Sequence, residues 1–168
     1  MSTLYFFSVW LHVLAATAWL GGMFFLMLVV VPWLRRGDRA SAAKLLAETG
    51  VRFRAVGWAC FGVVLVTGTF NLWVRGVRLH DFGRAEWLAS PFGRTVLLKL
   101  GVFAVVVALS AVHDFAVGPS AAAEIARAPD SPRAHALRRQ ASLLGRTTFL
   151  LALLLVALGV AVVRGVPW

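Results

Sequence analysis

Apolar residues in this chain do not alternate with polar ones. They collect in four nearly unbroken runs, at residues 4–34, 53–74, 92–117 and 143–163, joined by short segments that hold most of the charge. Each run exceeds the ~20 residues a helix needs to cross ~30 Å of hydrocarbon. Trp10 and Trp33 bracket the first run, Trp73 closes the second, and Arg164 and Trp168 finish the fourth, all residue types that favour the membrane–water interface. Pro91 opens the third run, and Gly118-Pro119 is expected to stop it. The stretch "GPSAAAEIARAPDSPRAHALRRQ", residues 118–140, reads as a polar loop with a short surface helix. The pattern predicts an all-α integral membrane protein, an up-down four-helix transmembrane bundle forming a single transmembrane domain over 1–168. No internal repeat is obvious.

Composition strengthens this reading. Hydrophobic residues make up 60% of the chain and the mean hydropathy is +0.82, above the roughly one-half apolar usage of soluble domains. There are 17 Lys and Arg against 7 Asp and Glu. A basic balance of that size in a soluble protein suggests nucleic acid; here the cations sit at the ends of apolar runs, where they anchor and orient, and no nucleic-acid partner is expected. Arg35, Arg36, Arg39, Lys44, Arg52 and Arg54 populate the first loop and its flanks, and Arg127, Arg133, Arg138, Arg139 and Arg146 the third. The second loop dilutes its arginines with Asp81 and Glu86, and the N-terminal tail has none. The positive-inside rule then places both termini outside. The first run lacks the basic leader and the cleavage site of a signal peptide and is read as a retained span. Cys60 is the only cysteine, which excludes an internal disulfide and a cysteine-based zinc site.

Ionisable groups within spans are costly and are functional candidates by default. His12 and Met23 lie eleven residues apart, about 20° from eclipsed, with Trp19 on the same face and Met27 on a neighbouring stripe, and this side of the helix is expected to turn into the bundle. His12 and Met23 are still ~16 Å apart along the axis, too far to share one ion, so they read as successive stations. On the third run Lys99 and His113 lie about 40° from eclipsed, with Ser110 between them on that face, while Asp114, next to His113, is expected to point about 100° away from it. The topology makes the first and third spans parallel, which sets His12 and His113 near opposite membrane faces, on the order of 25 Å apart. This gives an outer group (His12, Asn71, Lys99, with Arg94 as a further candidate) and an inner one (His113, Asp114, Arg54, Arg146), with Met23, Met27 and Cys60 between them. Thioether and imidazole together suit Cu(I), and imidazole alone also suits haem iron. The competing reading of each residue is structural: a hydrogen-bonded core histidine, a packing methionine, a snorkelling lysine.

Four segments, "LHVLAATAWLGGMFF", "RFRAVGWACFGVVLVTGTFNLW", "SPFGRTVLLKLGVFAVVVALSA" and "RRQASLLGRTTFLLALLLVALGV", resemble the copper resistance D (CopD) family of bacterial membrane proteins. The resemblance spans all four runs in order. On it, His12, Trp19, Gly21, Gly22, Asn71 and Lys99 match the family pattern, and the "MFFLM" spacing also resembles the methionine pair of Ctr-type copper transporters. It implies a multi-pass protein of the bacterial inner membrane that binds or transports copper, taking it from or giving it to a periplasmic carrier. Taken together with the two ligand-bearing faces on parallel helices, it makes His12, Met23, Met27 and His113 the expected metal ligands, with Lys99, Asn71 and Trp19 beside them, although His113 is not required by the family pattern; no catalytic residue is expected. A pore with so few ligands leaves room for a homo-oligomer. The layout is also similar to HemJ-type protoporphyrinogen oxidases, which makes a haem b- or porphyrin-binding redox protein, with His12 and His113 as axial ligands at separate sites, the alternative. A cofactor-free subunit of a larger membrane complex is the third reading.

Overall fold

The structure is a computed structural model that describes residues 2–34 and 39–165. Helix α1 (Thr3–Phe25) continues through a wide π turn at Leu26–Val30 into a last turn at Val31–Leu34. Helix α2 covers Arg39–Val74. A 3₁₀ turn (Leu79–Gly83) and the short α3 (Ala85–Ala89) lead to α4 (Pro91–Val112), a second π turn (His113–Val117) and α5 (Gly118–Arg127). Helix α6 (Pro132–Arg164) completes the described chain. There is no strand among the described residues, and four helical stretches, Thr3–Trp33, Glu48–Val74, Pro91–Arg127 and Pro132–Arg164, are long and apolar enough to cross a membrane. The all-α membrane fold expected from the hydropathy pattern is the fold observed.

The helix boundaries follow from local chemistry. Ser90 and Ser131 each cap a helix whose first residue is proline: their hydroxyl oxygens accept from Gly93 N and Ala134 N, both at 3.0 Å. The proline costs nothing there, because the N–H it lacks has no partner within the helix. Helix α2 ends in a Schellman turn, in which Gly76 N donates to Trp73 O and Val77 N to Leu72 O, each at 3.0 Å. That turn needs a positive φ, and Gly76 supplies it at +87°.

Two buried carboxylates fasten the connections. Asp81 accepts from Arg78 N at 2.8 Å and from Arg84 Nη1 at 3.4 Å, closing the 3₁₀ turn. The backbone bond from Arg78 is the main force holding its carboxyl below the usual range; His80 and Arg84 help, and burial opposes them. Glu124 accepts from Arg127 Nη2 at 3.2 Å and from Ser131 Oγ at 3.0 Å, tying α5 to the cap of α6.

Gly118-Pro119 does not end the third span. The helix runs on to Arg127 because the turn ahead of the proline widens: Gly118 N donates to the His113 carbonyl, one residue further back than in an α-helix. A proline within a helix removes a bond and presses on the carbonyl four residues earlier, and a π turn is one way to relieve both. The first span does the same thing. Val31 N donates to Leu26 O, and Pro32 follows.

The chain forms two compact units, Met1–Val77 and Arg78–Trp168. In the first, α1 packs on α2; in the second, α4 packs on α6. The units share a plan that is not obvious in the sequence. One offset carries Leu26 to His113 and Pro32 to Pro119, so both π turns and their prolines coincide. The same offset carries Ser8 to Thr95, His12 to Lys99 and Trp19 to Val106. Ser8, Thr95, Trp19 and Val106 are all buried.

Candidate functional site

In the first unit, contacts run in opposite directions along α1 and α2. The Phe53 ring lies over Gly22, Trp19 lies over Gly57, and the His12 ring lies over Gly68. The pair is therefore antiparallel. Its seam alternates large side chains with glycines, the packing that draws helices together where hydrophobic burial alone gives no advantage. Trp19 stacks against Phe61 with ring centroids 4.8 Å apart, and Trp58 meets the same ring at 5.5 Å. Trp19 is therefore a seam residue, as its position on the His12 face implied.

The polar end of this seam centres on Thr67. Its hydroxyl donates to Val63 O at 2.6 Å, and His12 Nδ1 lies 2.9 Å from the same oxygen. A hydroxyl has one proton. With that proton directed to Val63, Oγ1 can only accept, so Nδ1 of a neutral His12 must be the protonated nitrogen and Nε2 carries the lone pair. A Cβ on Gly68 would stand 3.2 Å from His12 Cε1, so the missing side chain makes room for the ring. Ser8 Oγ makes a long contact of 3.5 Å to Thr67 O. One helical turn beyond Thr67, Asn71 Oδ1 is buried and makes no hydrogen bond within the described structure. Asn71, Thr67, Ser8 and His12 thus form a polar row leading inward from the end of α2. Thr67 and Ser8 were not singled out from sequence. The signal was the Thr-Gly pair at 67–68, which becomes informative only once the helix register is known.

In the second unit, Lys99 sits on the packed face of α4 between Val96, which is almost fully buried, and Phe103. Its Nζ lies 3.4 Å from where a Gly159 Cβ would be. That contact sets a register placing Val106 opposite Ala152 and Ser110 opposite Thr148, all four buried. His113 opens the π turn, and its Nδ1 is 2.9 Å from Asp114 Oδ1. The two residues, expected from α-helical geometry to diverge, meet in the wider turn.

The remaining candidates are less gathered. Met23 and Met27 are part-exposed on α1 and in its π turn, along the helix from His12 rather than beside it. Cys60 is a buried free thiol on α2. Among the described residues, no three of His, Cys, Asp and Glu converge as a metal site.

Large apolar side chains are exposed along every span, among them Phe6, Phe25, Val66, Leu98, Leu150 and Val160. A soluble surface does not tolerate so much apolar area. With four spanning helices, this defines a multi-pass α-helical membrane protein whose outer surface meets bilayer lipid. The sequence profile of copper resistance protein D (CopD) matches residues 47–164, and the chain belongs to that family of copper resistance membrane proteins. An uncharacterized protein of Aquifex aeolicus (strain VF5) is 33% identical over 156 residues, 92% of this chain and 92% of that one. No solved structure matches. Asn71, Lys99 and His113 lie within the matched residues, whereas His12, Trp19, Met23 and Met27 precede them. The family is one of copper resistance and does not favour the haem alternative.

Proposed function

We propose that this protein binds copper at His12 and passes it across the bacterial inner membrane. The observation that carries the reading is the Nδ1 anchor on Thr67 Oγ1, which fixes the tautomer whose Nε2 can bind a metal. Metal-binding histidines characteristically donate their other N–H to an oxygen that orients the ring. His113 has the same arrangement, with Asp114 as the orienting oxygen. Copper is the substrate. Met23 and Met27 are the next soft donors along α1, and His113 serves a separate, inner step. The basic first and third loops face the cytoplasm and both termini lie outside, where a periplasmic copper carrier would meet the His12 end.

Purified protein reconstituted in vesicles tests this. Wild type is expected to accumulate copper and to bind it near one equivalent in detergent, with both lost in His12→Ala. Unchanged flux and stoichiometry in His12→Ala would overturn the reading.

A further inference from the structure

We propose that the outer end of the α4–α6 seam is a binding site for one anionic phospholipid, with an acyl chain in the cleft and the phosphate at Arg94 and Arg164. A cleft of about 290 Å³ opens there between the first turn of α4 and the last turn of α6. Its walls are Pro91, Phe92, Ala161 and Val162, with Ser90 and Thr95 as the polar members. Both hydroxyls are already committed. Ser90 Oγ donates to Trp87 O at 2.6 Å and accepts from Gly93 N, and Thr95 Oγ1 donates to Pro91 O at 2.7 Å. The walls therefore offer a polar solute no free donor, and a hydrocarbon chain enters without leaving a polar group stranded.

The charges around the mouth select the headgroup. Arg94 directly precedes Thr95 and Arg164 directly precedes Gly165, so both sit on the helix ends that form the cleft, next in sequence to its lining residues. Both are exposed, and neither enters an ion pair among the described residues. The acids of the preceding connection are already engaged: Asp81 and Glu86 both pair with Arg84. Two guanidiniums beside an apolar slot at the end of a span match a phosphate diester above its acyl chain. The Phe82–Trp87 ring pair, centroids 4.9 Å apart, lies just before α4 and suits the same interfacial depth.

Native mass spectrometry of the full chain in detergent, titrated with phosphatidylglycerol or phosphatidylcholine, tests the site. Wild type is expected to retain one phosphatidylglycerol in preference to phosphatidylcholine. The preference should fall about fivefold for each guanidinium removed in Arg94→Gln and Arg164→Gln. Ala161→Phe, which fills the cleft, should reduce retention of both lipids. Arg138→Gln/Arg139→Gln, at the opposite end of α6, should change neither. Equal losses from the Arg138 and Arg139 pair would show a diffuse charge effect and overturn the site. An unchanged preference in the Arg94→Gln/Arg164→Gln double variant would overturn it too, and that variant alters only exposed side chains, so it does not depend on Ala161→Phe folding.

Discussion

Thr67→Val isolates the argument for His12 better than removing the histidine itself. Valine keeps the branched shape but removes the oxygen that accepts from Nδ1 at 2.9 Å. The ring then loses the partner that fixes its tautomer and must hold Nδ1 without this acceptor in a part-buried seam, reorient or change tautomer. An unsatisfied buried donor costs about 1–3 kcal/mol, enough for the ring to spend most of its time in other states. Copper affinity falls by the fraction of time the competent state is lost. Loss of an orienting partner typically lowers metal affinity about 10–100-fold, equivalent to about 1.4–2.7 kcal/mol. Competition titration with a chromophoric Cu(I) chelator in detergent measures it, and circular dichroism melts control for folding. Thr67→Ser keeps the hydroxyl and should stay within about threefold of wild type. Suppose Thr67→Val binds copper within twofold of wild type while His12→Ala does not bind. The histidine would then be a ligand, but the anchoring argument would be wrong.

Other substitutions test the packing and the turns. Gly93→Ala puts a methyl group against the Trp87 carbonyl and 3.0 Å from Ser90 Oγ; backbone cannot yield, so thermal melts should show about 1–3 kcal/mol lost, whereas Gly101→Ala, with open space around it, should be tolerated. Gly118→Ala brings a methyl group 2.8 Å from the His113 carbonyl, and a spin label at Val112 should report a rearranged π turn; an unchanged spectrum would mean the turn does not depend on glycine. Asp81 has a lowered carboxyl pKa, so its contribution is present above the ordinary carboxylate value and is lost as pH falls through the still lower folded one. Hydrogen-exchange protection at residues 78–84, taken relative to the intrinsic rate at each pH, should therefore fall only in strong acid, and in Asp81→Asn it should be low across the range. Glu124→Gln weakens the hold on Arg127 and Ser131, and exchange at residues 128–134 should increase while the spans stay protected.

The spans were legible because hydropathy along a chain is a local property, and lipid leaves an isolated segment little choice but helix. The placement of Trp19 and Ser110 on packed faces was legible for a similar reason, since both follow from 3.6-residue periodicity along one helix. Periodicity fails where the helix is irregular. The separation expected between His113 and Asp114 assumed α-geometry, and the π turn removed it. The stop expected at Gly118-Pro119 weighed the proline without the turn that accommodates it. Thr67 was missed because its importance lies on another helix: only the antiparallel register of α1 and α2 brings position 67 to position 12.

The shared plan of the two units shows why a repeat of this kind escapes inspection. What recurs is a set of physical roles, and each can be filled by more than one residue. Ser8 and Thr95 both bring a hydroxyl to a buried seam, and both hydroxyls find a backbone carbonyl. His12 and Lys99 both place nitrogen over a glycine of the facing helix, Gly68 in one unit and Gly159 in the other. Among the positions named here only the proline recurs unchanged, because no other residue deletes an N–H and crowds the preceding carbonyl. The plan also bears on Lys99, whose two readings from sequence were a snorkelling stem and a working part. A lysine placed at the position of His12, over a glycine of its partner helix and flanked by buried neighbours, belongs to the packed architecture rather than to a free interface. On the copper reading the two units then differ in one respect that matters chemically: an imidazole nitrogen is a common metal donor, whereas an ammonium group has only hydrogen-bond donors to offer.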